Sequence, residues 1–253
     1  MNHSIKRNSI LDLVKWIATI SMVLDHLWVL FPEYTFVLRG MGRWAFPMFA
    51  LMIAYNTHNA VQNNKTKTLD DYLKNLILFS FISEIPYQLY NQSDFTTFNI
   101  MPTLLLGFVF ILLAESKRIS AKVSLILLTT LTVFFSKFFM YGAFGVLLII
   151  LFYCIFRIQI TALQKILIFS SGVCAVIANL ESWFEVRGFT QENTYLTVFN
   201  FALNSFIASV LMSFFLLKSP LIQLSFKVPP IGKLAYWFYP VHLLLISLVV
   251  FLL

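Results

Sequence analysis

Nine long apolar stretches follow one another through this chain, over 10–31, 42–61, 72–90, 99–115, 119–136, 140–157, 162–180, 196–217 and 232–252. Each is close to the roughly 20 residues that carry a helix across the hydrocarbon core of a bilayer. In lipid, backbone N–H and C=O groups must be satisfied within the spanning structure, and continuous apolar runs do that as helices. The expected fold class is therefore all-α: a polytopic transmembrane helix bundle of about nine spans, forming a single domain over 1–253. Short loops pack neighbouring helices antiparallel. The weakest boundary lies between the fifth and sixth spans, where Ser136, Lys137, Tyr141 and Gly142 mark a tight turn.

Composition excludes a soluble domain. Only 11% of the 253 residues are charged and 59% are hydrophobic, with a mean hydropathy of +0.83; soluble domains carry about 25% charged residues. The 28 Phe suit a lipid-facing exterior. A net charge of +7 would suggest a nucleic-acid partner in a soluble protein. Here the basic residues sit in short clusters between apolar runs, which points to topology and anionic headgroups, and no nucleic-acid motif is present. Cys154 and Cys174 both lie inside apolar runs and read as small core residues, without the partners that a zinc site needs. The basic start (Lys6, Arg7) followed by an apolar run imitates a signal peptide. Asp25 and His26 within that run, and the lack of an A-x-A-like site after it, favour an uncleaved first span.

Orientation follows from the basic residues, which favour the cytoplasmic side. With the N-terminus inside, the inner segments hold Lys6, Arg7, Lys15, Lys65, Lys67, Lys74, Lys117, Arg118, Lys122, Arg157, Lys165, Lys218, Lys227 and Lys233. Of the 18 Lys and Arg, only Arg39, Arg43, Lys137 and Arg187 fall outside, beside an acidic loop with Glu181, Glu185 and Glu192. The N-terminus is expected in the cytoplasm and the C-terminus outside, which requires an odd number of spans.

Ionisable groups within spans cost roughly 3 to more than 10 kcal/mol each and persist where they have a partner and a task. In this topology Asp25, His26, Arg43, Glu84 and Asn99 all fall in the outer half of the membrane, where a bundle can gather them into one polar pocket. Asp25 and Arg43 are also readable as an ion pair that pins two helices, and Glu84 as a cap at a helix end. Neither reading explains a histidine at that depth, which titrates near neutral pH and passes protons. Lys15 and His26 are 11 residues apart, which returns them to one helical face within about 20° and separates them by about 16 Å. Met22 lies on the same stripe, flanked by Ala18 and Thr19. Asp25 is about 100° from His26 around the helix, so a carboxylate that orients His26 is as readily Glu84 as Asp25.

This placement suits coenzyme A. Lys15 and Arg118 would hold its phosphates as point charges near the cytoplasm, and its pantetheine arm would reach outward to His26. His26 would act as general base on an acceptor amine or hydroxyl, or carry an acetyl-histidine. Arg43 or Asn99 would stabilise the oxyanion.

The stretch Leu13-Val14-Lys15-Trp16-Ile17-Ala18 through Met22-Val23-Leu24-Asp25-His26 resembles the first helix of the TraX family. So do Gly42-Arg43-Trp44-Ala45-Phe46-Pro47-Met48-Phe49-Ala50 with Tyr55-Asn56, Ser83-Glu84-Ile85-Pro86-Tyr87, Asn99-Ile100-Met101, Tyr141-Gly142 with Gly145, and Tyr236-Trp237-Phe238-Tyr239-Pro240-Val241-His242-Leu243. The match covers most of the chain in order. The resemblance implies a conjugation-associated protein of the bacterial cytoplasmic (inner) membrane that acetylates the N-terminal amine of a pilin subunit from acetyl-CoA. The family is also similar to type-3 membrane acyltransferases, whose first helix carries a basic residue, ten residues and a histidine. Lys15 and His26 fit that spacing, as donor contact and catalytic residue. Asp25, Arg43 and Glu84 would belong to the catalytic shell, with Asn99, Tyr141 and His242 lining the substrate pocket, and no metal is implied. Two positions depart from the family pattern: Met140 stands where an acidic residue often precedes Tyr-Gly, and Tyr55-Asn56 where many members have Glu-Gly.

His242 follows Pro240, which frees a carbonyl in the last span. The histidine reads equally as a second polar group of the channel or as a side chain satisfied by a freed carbonyl. Pro47 is expected to shape the second span, and the aromatic cluster 236–239 to pack or to belt the interface. Two other functions compete: a proton-coupled transporter that uses the intramembrane Asp, Glu and His, and a non-catalytic assembly factor that holds a membrane subunit.

Overall fold

A computed structural model describes residues 8–92, 95–184, 191–222, 224–232 and 234–253, with the side chains of 181–184 and 191–194 left aside. Lys6, Arg7, Glu185, Arg187 and Lys233, and the side chains of Glu181 and Glu192, lie outside the described residues. Among the described residues the chain is all-helical: α1 Ser9–Leu27, α2 Thr35–Gly42, α3 Ala45–Gln62, α4 Thr66–Ile82, α5 Glu84–Asn91, α6 Ile100–Glu115, α7 Ile119–Phe134, α8 Gly142–Arg157, α9 Thr161–Phe184, α10 Gln191–Leu217 and α11 Leu234–Leu252. Each expected apolar span is helical over most of its length. Four helical stretches are long and apolar enough to cross a membrane: Pro32–Gln62, Thr161–Leu180, Tyr195–Leu217 and Leu234–Leu252. The apolar helices α6, α7 and α8 have 16 residues each, about 24 Å at 1.5 Å per residue against a hydrocarbon core of about 30 Å.

One expected span proves to be a pair of helices. The stretch from 72 to 90 breaks at Ser83, because Pro86 has no N–H to return to the Ile82 carbonyl. The result is a long α4 and a short α5 that places Glu84 in its first turn. Ahead of the expected span 42–61 the structure adds a further short helix, α2, which turns into α3 at Arg43 and Trp44. Asn8 starts α1 by accepting from the Leu11 N–H at 3.1 Å, which satisfies a donor with no intrahelical partner.

The core gathers around α8, whose Leu148, Ile149, Phe152 and Ile155 are fully buried with Phe108 of α6 and Met48 of α3. Gly107 makes the close α6–α8 approach possible, since a Cβ there would stand 2.4 Å from Ile149 Cδ1. Helices α9 and α10 meet through small polar residues, with Ser209 Oγ donating to Ser171 Oγ at 2.9 Å. Small contact residues of this kind suit helix pairing in lipid, where apolar side chains gain little by leaving the solvent. Many large apolar side chains face outward, Phe81, Ile126 and Phe134 among them, as expected of a bundle dissolved in lipid.

The foot of α11 packs against the middle of α4. Tyr236 packs against Tyr72 and Phe79 of α4, with ring centroids 6.4 and 5.2 Å apart. Those positions lie about 9 to 20 Å along α4. Before α11, Trp16 Nε1 donates to the Pro229 carbonyl at 2.9 Å. Non-helical backbone therefore lies against α1 and has a side-chain donor there.

Candidate active site

The last turn of α1 carries Asp25 and His26, and α11 brings His242 against it. His26 Nδ1 and His242 Nε2 are 2.9 Å apart, and His242 Nδ1 is 2.8 Å from the Phe238 carbonyl. A carbonyl oxygen only accepts, so His242 Nδ1 carries the hydrogen of that bond. In a neutral imidazole Nε2 is then unprotonated. His26 Nδ1 must therefore donate to it. The Met22 carbonyl, four residues back on α1, also accepts from the His26 ring; with Nδ1 as the donor to both, Nε2 keeps its lone pair. Tyr90 holds the same ring: its hydroxyl donates to the His26 carbonyl at 3.1 Å, and its ring meets the imidazole edge-on at 5.0 Å. Phe238 stacks on His242.

Beside this pair lies a buried ion pair of Arg43 with Asp25. It forms because Gly42 lets the two backbones approach; a Cβ on Gly42 would come within 2.6 Å of Asp25 Cα. Arg43 also donates from Nη1 to Asn179 Oδ1 at 3.3 Å and from Nε to the Arg39 carbonyl at 3.3 Å. Of its five N–H hydrogens, one on each terminal nitrogen remains for another acceptor. The Arg39 guanidinium lies over Trp28 at 5.0 Å and over Phe201 at 5.5 Å. The Tyr90 and Tyr141 phenols lie within electrostatic reach of Arg43.

Glu84 and Asn99 form a separate unit. Glu84 Oε1 accepts from Gln88 Nε2 at 2.6 Å, and Oε2 accepts from Asn99 Nδ2 at 2.6 Å and from the Asn99 N–H at 3.1 Å. Asn99 Nδ2 donates in addition to the Ser80 carbonyl at 2.8 Å, and Oδ1 caps α6 by accepting from the Met101 N–H at 2.9 Å. The expectation that Asn99 is free to bind an oxyanion is corrected by this accounting: both its amide hydrogens are spoken for. The orienting carboxylate is corrected too, since the partner of His26 is an imidazole and Glu84 faces Asn99 and Gln88.

Tyr141 opens α8 in the left-handed region, at φ 64°. It stacks flat on Phe46 with centroids 4.0 Å apart, and Thr103 Oγ1 fixes the turn by donating to the Met140 carbonyl at 2.7 Å. Lys15 is half-buried on α1 and pairs with Asp12 at 3.4 Å. Arg118 is exposed at the start of α7, whereas α1 packs principally on α2, α3 and α11. The structure thus joins Asp25 to Arg43 and His26 to His242, and does not join Lys15 to Arg118. Sequence reasoning missed Tyr90 and Asn179 as supporting residues. The adjacency of Tyr90 to the Glu84–Tyr87 motif was the available signal for the first.

Residues 10–250 match the family model described as TraX protein. The chain belongs to the TraX family. No curated protein and no solved structure matches it. The matched region contains every residue of both clusters, so the histidine pair and the Asp25–Arg43 pair are features of a TraX chain and not of an appended segment.

Proposed function

We propose that this TraX-family protein is an acetyltransferase that moves an acetyl group from cytoplasmic acetyl-CoA to an acceptor outside the membrane, with the N-terminal amine of a pilin subunit as the leading acceptor. The observation that carries this reading is the free lone pair on His26 Nε2, backed by an imidazole that fixes its tautomer. That is the arrangement a general base needs. Nε2 takes the proton of the acceptor amine as its nitrogen attacks the thioester carbonyl. The carbonyl oxygen gains negative charge and is stabilised by the two uncommitted hydrogens of Arg43. As the C–S bond breaks, the imidazolium returns the proton to the departing thiolate, so the pair ends as it began. Asp25 holds the Arg43 guanidinium in place and balances its charge in a site poor in water.

The topology that goes with this reading has nine crossings with the N-terminus in the cytoplasm of the inner membrane. Family membership points to a pilus or conjugation setting. The test is intact-mass analysis of extracytoplasmic proteins and glycans from cells with and without the chain, together with transfer of labelled acetyl groups from acetyl-CoA in purified membranes. A single acetyl gain that His26→Ala abolishes is expected, with a loss of about 10²- to 10⁴-fold in rate. A correctly inserted His26→Ala protein with full transfer activity would sink the proposal, and proton-coupled uptake without any acetyl donor would favour a transporter.

A further inference from the structure

A cavity of about 300 Å³ opens between the end of α3 and the start of α4, lined by Asn56, Asn59, Lys65, Thr68 and Tyr72 among others. It lies at the opposite end of α4 from Glu84. We propose that this cavity holds the phosphate-bearing nucleotide end of the acyl donor, with Lys65 as its counter-charge; the assignment rests on the acetyltransferase reading above.

Charge is the first reason. Lys65 is half-buried, and among the described residues it forms no ion pair, whereas Lys15 has the Asp12 carboxylate beside it. A partly desolvated ammonium without a carboxylate suits a phosphate. The acidic side chains nearest in sequence, Asp70 and Asp71, are exposed and do not line the cavity. Thr68 and Tyr72 are four apart and share the face of α4 that does, and Lys65 immediately precedes that helix. Hydrogen-bonding capacity is the second reason: two amides and three hydroxyls line the cavity with Lys65, and no side chain caps the first turn of α4, whose backbone N–H groups favour an anion.

The third reason is the route. Asn56 Nδ2 donates to Tyr72 Oη at 3.4 Å, and Tyr72 meets Tyr236 at the foot of α11. Tyr236, Tyr239 and His242 then follow one another up one face of α11. Lys65 to Tyr72 is about 10 Å along α4, and Tyr236 to His242 about 9 Å along α11. A polar and aromatic ladder therefore connects the cavity to the histidine pair over a distance that an extended pantetheine arm bridges. Lys15, on the histidine's own helix, flanks the arm and not the nucleotide.

Equilibrium binding of adenosine 3′,5′-bisphosphate to the full chain in lipid nanodiscs tests this, because the probe carries the nucleotide end without the thioester. Wild type should bind, Lys65→Arg should bind comparably, and Lys65→Glu should weaken binding at least about tenfold, the scale of one charge-assisted contact. Asn59→Asp, which adds a negative charge without touching Lys65, should weaken it too. Lys67→Glu, on the exposed face, should leave it unchanged. No binding by wild type, or equal binding by wild type, Lys65→Glu and Asn59→Asp, overturns the assignment. Acetyl transfer on the same preparations separates the two readings. Transfer that ignores Lys65→Glu removes this site and leaves the transferase standing, whereas nucleotide binding without any transfer removes the transferase and leaves the site.

Discussion

His242 is 216 positions from His26 in the chain, and shares the hydrogen of the His26 ring with the Met22 carbonyl. If it fixes the Nδ1–H tautomer of His26, His242→Ala should leave donor KM nearly unchanged and lower kcat by roughly 10- to 100-fold, as loss of an orienting partner does elsewhere. A Gln there, able to accept the same hydrogen, should recover part of that loss. Steady-state kinetics in membranes checks both, and a raised donor KM with unchanged kcat would make His242 a lining residue instead. At this scale the sequence was half legible. Asp25 and Arg43 were readable as an ion pair from opposite signs in apolar runs. The contact of two neutral imidazoles leaves no such trace, because neither carries a charge that calls for the other. Glu84 attracted attention as a carboxylate in a span, but its bonds to Gln88 and Asn99 exist only once the chain has broken at Ser83.

That break belongs to the scale of elements. Hydropathy averages over a window, so it joined α4 to α5, which Pro86 divides, and passed over the short α2 as a connection. The outcome matters for the site, since α5 brings Tyr90 onto His26 and α2 brings Arg43 onto Asp25. Asn99 holds the α4–α5–α6 corner by capping α6 and by giving both amide hydrogens to the half-buried Glu84 and Ser80. Asn99→Ala should therefore destabilise the protein by about 1 to 3 kcal/mol, from a lost cap of about 1 kcal/mol, from the half-buried Ser80 carbonyl losing its side-chain donor, and from Glu84 Oε2 keeping only the Asn99 N–H. Thermal unfolding in detergent should show the shift. Residual activity per folded molecule should fall far less than in His26→Ala, which separates a corner brace from a catalytic group.

For the whole molecule the open quantity is how many helices cross. Apolar runs and the clustering of Lys and Arg argue for nine crossings, while length and composition alone mark four helical stretches as long enough. Helix α7 decides between these readings, because its 16 residues span only about 24 Å and it is flanked by charge at both ends. Lys122 and Lys137 are both exposed, and long basic side chains reach the interface from a short helix by laying their apolar stems along it. A bilayer also thins locally at a modest cost, a fraction of a kcal/mol per Å of mismatch. Leaving α7 on one side would instead put its outward-facing Ile126, Leu127 and Leu131 into water or headgroups, at about 1.5 to 3 kcal/mol for each such side chain. The crossing is therefore the cheaper arrangement. In a background with Cys154 and Cys174 replaced by Ser, a membrane-impermeant maleimide applied from outside should label Lys137→Cys and spare Lys122→Cys and Lys67→Cys until the membrane is opened. Labelling of Lys137→Cys and Lys122→Cys from the same side would mean that α7 lies along the bilayer. The parity of the count would then change, both termini would lie on the side that carries Lys122 and Lys137, and the nine-crossing topology would fall.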